Sequence, residues 1–596
     1  MDIKNRNSVE TIDTWGLDLI YKSALDWDND LGQLILEIPE LSKMQGSIGL
    51  SAETLSNILR LFLNLMRKAE KAYSYAQMTC DQDLSNQDSL RRKEMALSAY
   101  SQLSQASSFI RPEILQIEQK QIEIFLKNPI LKDLQVSLEE IIRYRPHTLS
   151  PNEEALLALG AEYFGSTSSI FSQLNNTELK FEPVVNVGPL SHGTYAVMLR
   201  NSERNIREEA YKKYYQEFDD HKNTLSAIYS SSIKKNVFLS RAKNFKSSLE
   251  QSLFSDNVSK KVYLTLIESV SDNLNNLHDY YTLRAKKLKL EQIFLYDTYT
   301  SLVANSEQQF EYDKAATTII EAVKPLGEEY QNILQAGLTK NRWVDKFENK
   351  GKRSGAYCGG CYDTQPYILM NYQSKGLDSM FTLAHEAGHA MHSFFSNRKQ
   401  TYQDHQYTIF VAEVASTVNE LLLLNHLQKN TKSDIQMQQV LSNHLLDDIK
   451  STFYRQTMFA EFELIVHTQV EERKPIGLEF YRKIYRELLE KYFGESVSIT
   501  ETDELEFLRI PHFYSAFYVY KYATGLSAAI DISHRILAGD KKSTQCYLDF
   551  LASGGSKHPL ELLRAAGVDL EKKESLDSTS KLFKEELERF KGLINE

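Results

Sequence analysis

The sequence predicts a mainly α-helical protein, and three observations support this fold class. Glycine and proline are scarce, with 24 and 12 residues in a chain of 596, so few breakers interrupt long helices. Apolar residues recur at helical spacing, for example throughout 52–78. A content of 42% hydrophobic and 25% charged residues is typical of a globular protein and excludes disordered and fibrous classes. Because the chain is longer than a single core, we expect about two to four lobes.

The first third of the chain is expected to be helical, with one change of character. Helices are predicted through 8–165, and one of them spans Arg111 to Lys127 with Pro112 in its first turn. The stretch 179–196 contains two prolines, two glycines and alternating apolar residues. This pattern predicts a short strand or hairpin at a lobe boundary.

Long amphipathic helices are predicted again over about 200–345. Four glycines in 351–360 then precede a β-prone run, Tyr367–Tyr372, so a glycine-rich loop that leads into one strand is expected there. Helices continue to the end of the sequence, with a break at Gly554–Ser556. The 33 tyrosines are an unusual feature of the composition.

Charge and cysteine content limit the classes of partner and compartment. The 80 acidic and 69 basic residues give a net charge of −11, which argues against a general nucleic-acid binder. No stretch approaches 18 apolar residues, so no membrane span is expected. The polar N-terminus lacks the apolar core of a secretory signal, and four cysteines do not make a disulfide framework. We expect a cytoplasmic protein with free thiols and no obligate protein partner.

The strongest chemical signal is His385-Glu-Ala-Gly-His389. Two histidines at i and i+4 lie on one helical face and can ligate one metal ion. Glu386 lies where a general base could act on metal-bound water. Gly388 costs about 1 kcal/mol inside a helix, and its small size would let another backbone or a substrate approach. The alternative is a helix whose histidines only cap or pair at the surface.

A third ligand is needed, because zinc hydrolases keep three protein ligands and one open position. Glu413 is the first carboxylate of the next predicted helix and lies among apolar residues, where a carboxylate is costly unless paired or bound to metal. His392 is the competing ligand, but it lies a further turn along its helix. Glu420, two turns after Glu413, could accept a hydrogen bond from the distal nitrogen of a ligating histidine. The alternative for Glu420 is an ordinary salt bridge.

These motifs resemble those of a known family. The segments concerned are HEAGH, then FVAEVAST and NE, with GKRSGAYC before them and PHFYSAFYVYKYATG at 511–525. They resemble motifs of the thimet oligopeptidase and oligoendopeptidase F group of zinc peptidases. The resemblance is closer to the oligoendopeptidase F branch and extends over about 165–570. It implies a two-lobed helical body with a deep substrate channel, zinc on the channel floor, and a small β-sheet beside the zinc site. Tyr367–Tyr372 would form an edge of that sheet, able to hold an extended peptide.

The resemblance also implies an activity and a division of the chain. We expect a zinc-dependent endopeptidase of peptide catabolism that hydrolyses internal bonds of short unfolded oligopeptides. One zinc ion would be held by His385, His389 and Glu413, and Glu386 would assist attack by zinc-bound water. The expected regions are an N-terminal helical region, 1–110, a continuation of an oligoendopeptidase-like N-terminal lobe, 111–196, and a zinc peptidase catalytic domain, 197–596.

The aromatic segment 511–525 supplies candidate donors for a developing oxyanion. Judged by aromatic content alone, it is a packed aromatic helix. The resemblance places a histidine and one or more tyrosines of this segment over the zinc, which makes His512 a candidate. Tyr518 and Tyr520 are the preferred tyrosines, and Tyr514 and Tyr522 are alternatives.

Other functions remain open at this stage. A helical zinc carboxypeptidase would need a cation for the terminal carboxylate of its substrate, and Arg509 is available. A non-catalytic peptide-binding protein is the other alternative.

Cys358 and Cys361 form a CxxC pair that we interpret as free thiols, since one such pair is weak support for a metal site. Redox sensitivity of this pair is the alternative interpretation.

Overall fold

The computed structural model describes residues 3–303 and 308–595. The chain is predominantly helical with two small sheets, which confirms the predicted fold class. Within the described residues, no helix combines the length and apolar character that a membrane crossing requires. Two compact units are present, each built from three separate stretches of sequence. The first unit comprises Met1–Pro146, Glu307–His426 and Ile532–Gly567, and the second comprises His147–Ser306, Leu427–Asp531 and Val568–Glu596.

These units divide the chain by spatial compactness, whereas the three regions expected from the sequence follow chain order. The expected boundaries at 110 and 196 therefore stay a prediction. Helix Ile409–Asn430 starts in the first unit and helix Tyr520–Leu537 starts in the second.

The first unit has a helical core to which a small sheet contributes. One buried apolar cluster runs from Trp15 to Leu138 and includes Tyr367 and Leu369 of the sheet. The helices that lie wholly in this unit are Ala24–Ser42, Ala52–Gln82, Gln87–Ser107, Ile110–Gln116, Gln119–Leu126, Gln135–Ile142, Tyr312–Ala322, Glu328–Leu338, Asp378–Lys399, Lys541–Leu551 and Pro559–Ala565.

The second unit has an aromatic core. Phe462 packs edge-on against Tyr485 with ring centroids 5.2 Å apart, and Phe513 lies at the same distance from Phe462. Strands Ile293–Phe294 and Val497–Ser498 pair in parallel. The helices of this unit are Pro151–Leu159, Ala161–Gln173, His192–Met198, Arg204–Asp220, Lys222–Ala242, Ser248–Phe254, Lys260–Asp272, Leu274–Leu288, Ile435–Ile449, Arg455–Glu471, Leu478–Phe493 and Lys573–Asn595.

One local prediction is wrong, and a second is met only in reduced form. The single helix expected from Arg111 to Lys127 is two short helices, because Ile117 and Glu118 adopt extended ψ values of 130° and 143° between them. The strand or hairpin expected in 179–196 is reduced to one isolated bridge between Val184 and Gly188. A helix begins shortly after that bridge, at His192, and the Ser191 side chain caps it by accepting from the backbone of Thr194.

The three-stranded sheet of the first unit has Tyr367–Leu369 at its centre. This strand pairs in parallel with Val344–Asp345 and antiparallel with Tyr357–Gly359. The predicted strand therefore exists, but the expectation that it is an edge is wrong. All three of its residues are fully buried, and the Trp15 indole donates to the Ile368 carbonyl at 2.7 Å. The outer strand Tyr357–Gly359 was expected to be glycine-rich loop.

Two helices of the first unit approach each other closely at Gly388. A Cβ atom at this position would lie 2.5 Å from the Ala415 carbonyl oxygen and 2.6 Å from the Ser416 Cα of helix Ile409–Asn430. The Asn419 amide donates to the Ala384 carbonyl at 3.3 Å, and the Tyr330 hydroxyl donates to Asn419 at 2.9 Å. The glycine therefore permits backbone-to-backbone contact, as its position in the motif predicted.

We expect Gly388→Ala to destabilise the first unit. The better helix propensity of alanine contributes about 1 kcal/mol, but overpacking against backbone costs about 1–3 kcal/mol and displaces the facing helix. Calorimetry should show a lower Tm, and mass spectrometry should show less metal bound at the predicted site of His385 and His389. Gly165→Ala is the matched control, because no atom lies within 4 Å of a Cβ at that helical glycine. Equal Tm and metal content in both variants would contradict the packing argument.

Candidate metal centre

Three side chains converge where the two closely packed helices meet. The Nε2 atoms of His385 and His389 lie 3.2 Å apart. An oxygen of Glu413 lies 3.4 Å from the first nitrogen and 3.5 Å from the second. Among the described residues, this is the one group of three such side chains whose donor atoms could hold a metal ion together.

The geometry of the three donors fits a tetrahedral metal ion. Ligands at zinc bond lengths of about 2.0–2.2 Å lie about 3.3–3.6 Å apart at tetrahedral angles, which matches the observed triangle of 3.2, 3.4 and 3.5 Å. Two imidazoles and one carboxylate are also a donor set that zinc hydrolases use. The three side chains remain 18–36% exposed, so the open face of the donor triangle is accessible to solvent.

Glu420 fixes the orientation of the first histidine. Its Oε1 lies 2.7 Å from His385 Nδ1, so that nitrogen donates and Nε2 is left with its lone pair toward the triangle. Although burial lowers the pKa of His385, the hydrogen bond to Glu420 and the nearby carboxylates raise it to about 9. The surrounding carboxylates therefore favour a positive charge at Nε2, whether a proton or a metal ion carries it.

Ser416 orients the Glu413 carboxylate, and the sequence analysis did not single it out. Its hydroxyl lies 3.0 Å from Glu413 Oε2 and 2.9 Å from the Glu413 carbonyl oxygen. The hydrogen bond from His389 lowers the pKa of Glu413 to about 2, and Ser416 adds to this effect. The available signal was the spacing, because a serine three residues after a ligand on a helix can bond back to it.

Glu386 lies beside the donor triangle and is largely buried. Its side chain belongs to the buried face of helix Asp378–Lys399. Burial raises the pKa of Glu386, while His385, His389 and the Cys358 backbone N–H lower it. The outer strand Tyr357–Gly359 thus brings the Cys358 backbone N–H close to this carboxylate. That link between sheet and motif was not predicted from the sequence.

His392, the competing ligand, lies outside the triangle. Its ring is fully buried and stacks on Tyr407 with centroids 3.5 Å apart and an interplanar angle of 4°. Burial lowers the pKa of His392 to about 3. This histidine is therefore a packed core residue.

The aromatic segment belongs to the second unit and forms a 3₁₀ turn, Pro511–Tyr514, a loop, and a helix that begins at Tyr520. The Tyr518 hydroxyl is hydrogen-bonded to His512 Nδ1. When Tyr518 donates to this nitrogen, the neutral imidazole carries its own proton on Nε2. Burial lowers the pKa of His512, which favours that neutral form.

The burial of Tyr520 argues against its predicted role as an oxyanion donor. Its side chain has no exposed surface, and its ring packs on Tyr263 at 5.2 Å. Tyr514 is also buried and stacks on Phe171 at 4.3 Å. Both side chains are packed in the core of the second unit. Tyr518 is partly exposed, as is Tyr522.

Arg509 is engaged by other groups. Its guanidinium donates to Glu506 at 2.8 Å and to the Tyr215 hydroxyl at 2.8 Å. It is therefore not free to receive a terminal carboxylate, as a carboxypeptidase would require.

Cys358 and Cys361 are free thiols, as predicted. Burial raises the pKa of Cys358 and raises that of Cys361 to about 11, so neither is a ready thiolate.

Comparison with known proteins identifies the family. The model of peptidase family M3 matches residues 197–582, and the model described as oligopeptidase F matches 113–181. An oligoendopeptidase F homolog of Borreliella burgdorferi is 39% identical over 590 residues, which cover 99% of this chain and 100% of that protein.

Solved structures agree with this assignment. The oligoendopeptidase-F of Enterococcus faecium aligns with a TM-score of 0.74 and 32% identity, over 96% of this chain and 99% of that one. A Chlamydophila abortus protein aligns with a TM-score of 0.95 and 32% identity, over 99% and 100% of the two chains. The resemblance to the oligoendopeptidase F branch is thereby confirmed. The chain belongs to peptidase family M3 and is a metalloendopeptidase.

Proposed function

We propose that this metalloendopeptidase depends on zinc and hydrolyses internal bonds of short unfolded oligopeptides. The observation that carries the proposal is the donor triangle, with Glu420 behind His385 and Glu386 beside the ligands. This arrangement combines a metal site, an orienting carboxylate and a candidate base within two packed helices.

His385, His389 and Glu413 would hold the ion, and Glu420 would keep His385 in the tautomer that presents Nε2. Zinc bound by these ligands would act as a Lewis acid toward a peptide carbonyl and a water molecule. Two neutral imidazoles and one carboxylate leave one positive charge of the divalent ion uncompensated, which preserves that Lewis acidity.

Glu386 is the proposed general base. It would accept the proton of the attacking water and later deliver it to the leaving amine nitrogen. Its largely buried position limits competing solvation of the carboxylate, and the nearby Cys358 N–H lowers its pKa. The same carboxyl would therefore act as base and then as acid.

His512 and Tyr518 are the proposed donors to the developing oxyanion, a role that rests on the family resemblance. Their mutual hydrogen bond supports the proposal, because it fixes both rings and leaves one proton of the pair for the oxyanion. When Tyr518 donates to Nδ1, the remaining donor is the Nε2–H of His512; when Nδ1–H donates to the Tyr518 oxygen, the remaining donor is the Tyr518 O–H. Tyr522 is the second-choice tyrosine, since its ring lies edge-on to that of Tyr518 at 5.9 Å.

The substrate class follows from the same resemblance. We propose that short unfolded peptides enter and folded proteins do not, and that strand Tyr357–Gly359 pairs with an extended substrate backbone. The four free thiols are in keeping with the cytoplasmic location expected from the sequence. Arg509 gives no support to the carboxypeptidase alternative, and membership of a peptidase family gives none to a non-catalytic role.

We expect Glu386→Gln to retain zinc and to lower kcat about 10²- to 10⁴-fold, because the amide cannot accept the proton. The assay substrate should be a peptide blocked at both ends, which only an endopeptidase cleaves. Glu329→Gln is the control, since this carboxylate pairs with Arg398 at the surface. Unchanged turnover in Glu386→Gln would refute the proposed mechanism.

Glu413→Ala should lose both zinc and activity, because two imidazoles alone bind the ion weakly. His392→Phe should keep zinc, because an aromatic ring can still stack on Tyr407. Metal stoichiometry of the purified proteins, measured by mass spectrometry, tests both expectations. The reverse result, with zinc kept in Glu413→Ala and lost in His392→Phe, would show that the ligand assignment is wrong.

Tyr518→Phe should lower kcat about 10²- to 10³-fold, as loss of one oxyanion donor does, with little change in KM. Tyr520→Phe should leave kcat nearly unchanged, because Tyr520 has no exposed surface. Steady-state kinetics of the two variants make the comparison. An equal loss in both would return Tyr520 to the list of candidate donors.

A further inference from the structure

The loop between Tyr514 and the helix that begins at Tyr520 determines where the His512–Tyr518 pair points. Tyr518 lies one residue after Phe517, and its hydroxyl meets His512 across the loop. The Tyr522 ring lies edge-on to both partners, at 6.3 Å from His512 and 5.9 Å from Tyr518. The direction of the Tyr518 side chain therefore depends on the backbone turn at Phe517.

Phe517 adopts a left-handed backbone conformation with φ of 61°. This region favours glycine, and a bulky residue stays in it only when the surrounding structure holds it there. The Phe517 ring is buried, with its centroid 4.5 Å from that of His467 and 6.0 Å from that of Tyr263. These packing contacts hold the side chain but not the amide.

Glu463 holds the amide. Its side chain extends from helix Arg455–Glu471 and is fully buried, and its Oε1 accepts a hydrogen bond from the Phe517 N–H at 3.0 Å. No described residue gives Oε2 a hydrogen-bond partner. A buried carboxyl is costly when it makes a single hydrogen bond, so packing alone does not explain a glutamate at this position.

The flanks of the turn are anchored separately. The Ser252 hydroxyl donates to the Ala516 carbonyl at 3.2 Å, and Lys521 forms an ion pair with Asp256 at 2.5 Å. The contact made by Glu463 lies between these two anchors, at the residue with the unusual φ.

The protonation state of Glu463 is compatible with this contact. Burial raises its pKa to about 8, and the Phe517 N–H opposes that rise. The carboxyl is therefore mainly neutral at pH 7 and can accept the hydrogen bond without placing a full charge in the aromatic core.

We propose that Glu463 is a positioning residue, which holds the left-handed turn at Phe517 through its N–H and thereby orients the His512–Tyr518 pair. The catalytic consequence rests on the proposed function, whereas the positioning itself does not.

Three substitutions of Glu463 test the contact. Glu463→Leu removes the acceptor, and Glu463→Gln keeps a carbonyl oxygen in its place. Glu463→Asp withdraws the acceptor by one methylene and serves as the second test if the leucine variant folds poorly. We expect Leu and Asp to lower kcat about tenfold to a hundredfold, because small misplacements of a catalytic group have effects of that size. Zinc content and KM should change little, and Gln should restore most of the activity. Loss in Gln equal to that in Leu would overturn the proposal.

Glu461→Leu is the control on the same helix, because the Glu461 carboxylate pairs with Lys491 at 2.7 Å and does not reach the turn. The proposal also predicts non-additivity. In a Tyr518→Phe background, Glu463→Leu should lower kcat by less than about twofold. A full additional loss in that background would show that Glu463 does not act through Tyr518.

A spectroscopic readout separates positioning from catalysis. With 3-fluorotyrosine at position 518, the ¹⁹F resonance should shift or broaden in Glu463→Leu and Glu463→Asp, and stay in place in Glu463→Gln and Glu461→Leu. An unchanged resonance in the first two variants would overturn the proposal. If the resonance moves as expected while Tyr518→Phe keeps full kcat, the positioning stands and the catalytic role proposed for Tyr518 fails.

Discussion

The contact of helix Ile409–Asn430 with the backbone at Gly388 is the constraint on which the metal centre depends. Helical spacing by itself places two histidines on one face, but the third donor has to come from elsewhere. Glu413 and Glu420 are two turns apart on one helix. The position of that helix therefore fixes both carboxylates, Glu413 as the third donor and Glu420 as the hydrogen-bond partner of His385. Any side chain at position 388 would move both carboxylates away together, since they belong to the same rigid element.

The sequence could predict much of this centre because most of its relations lie within one helix, although the contact between the two helices does not. The pair of histidines, the base between them and the spacing of the two carboxylates all follow from one period of 3.6 residues. The position of Tyr520 could not be predicted in the same way. It depends on where a helix starts, and that start follows a left-handed turn held by a residue far away in sequence, Glu463. The strand order of the sheet could not be predicted either, because pairing between distant segments leaves no periodic pattern in the sequence.

Most of the buried tyrosines belong to the core of the second unit. Many of these rings pack like phenylalanine while their hydroxyls bind buried acids, as Tyr211 does with Asp503 at 2.5 Å and Tyr485 does with Glu506 at 2.8 Å. A buried carboxylate without such donors would be strongly destabilising. Tyrosine thus lets an aromatic core contain the charged groups that tie its helices together. Few of these residues have any surface left for a substrate.

Because each compact unit is built from three stretches of sequence, the residues of one core are synthesised at different times during translation. The apolar cluster that runs from Trp15 to Leu138 also contains Tyr367 and Leu369. At translation rates of about 5–20 residues per second, those two side chains emerge roughly 10–50 s after the rest of the cluster. During that interval the early helices expose apolar surface that only later residues will cover. We therefore expect the apolar surface of the N-terminal region to stay incompletely covered until Tyr367 and Leu369 have been synthesised.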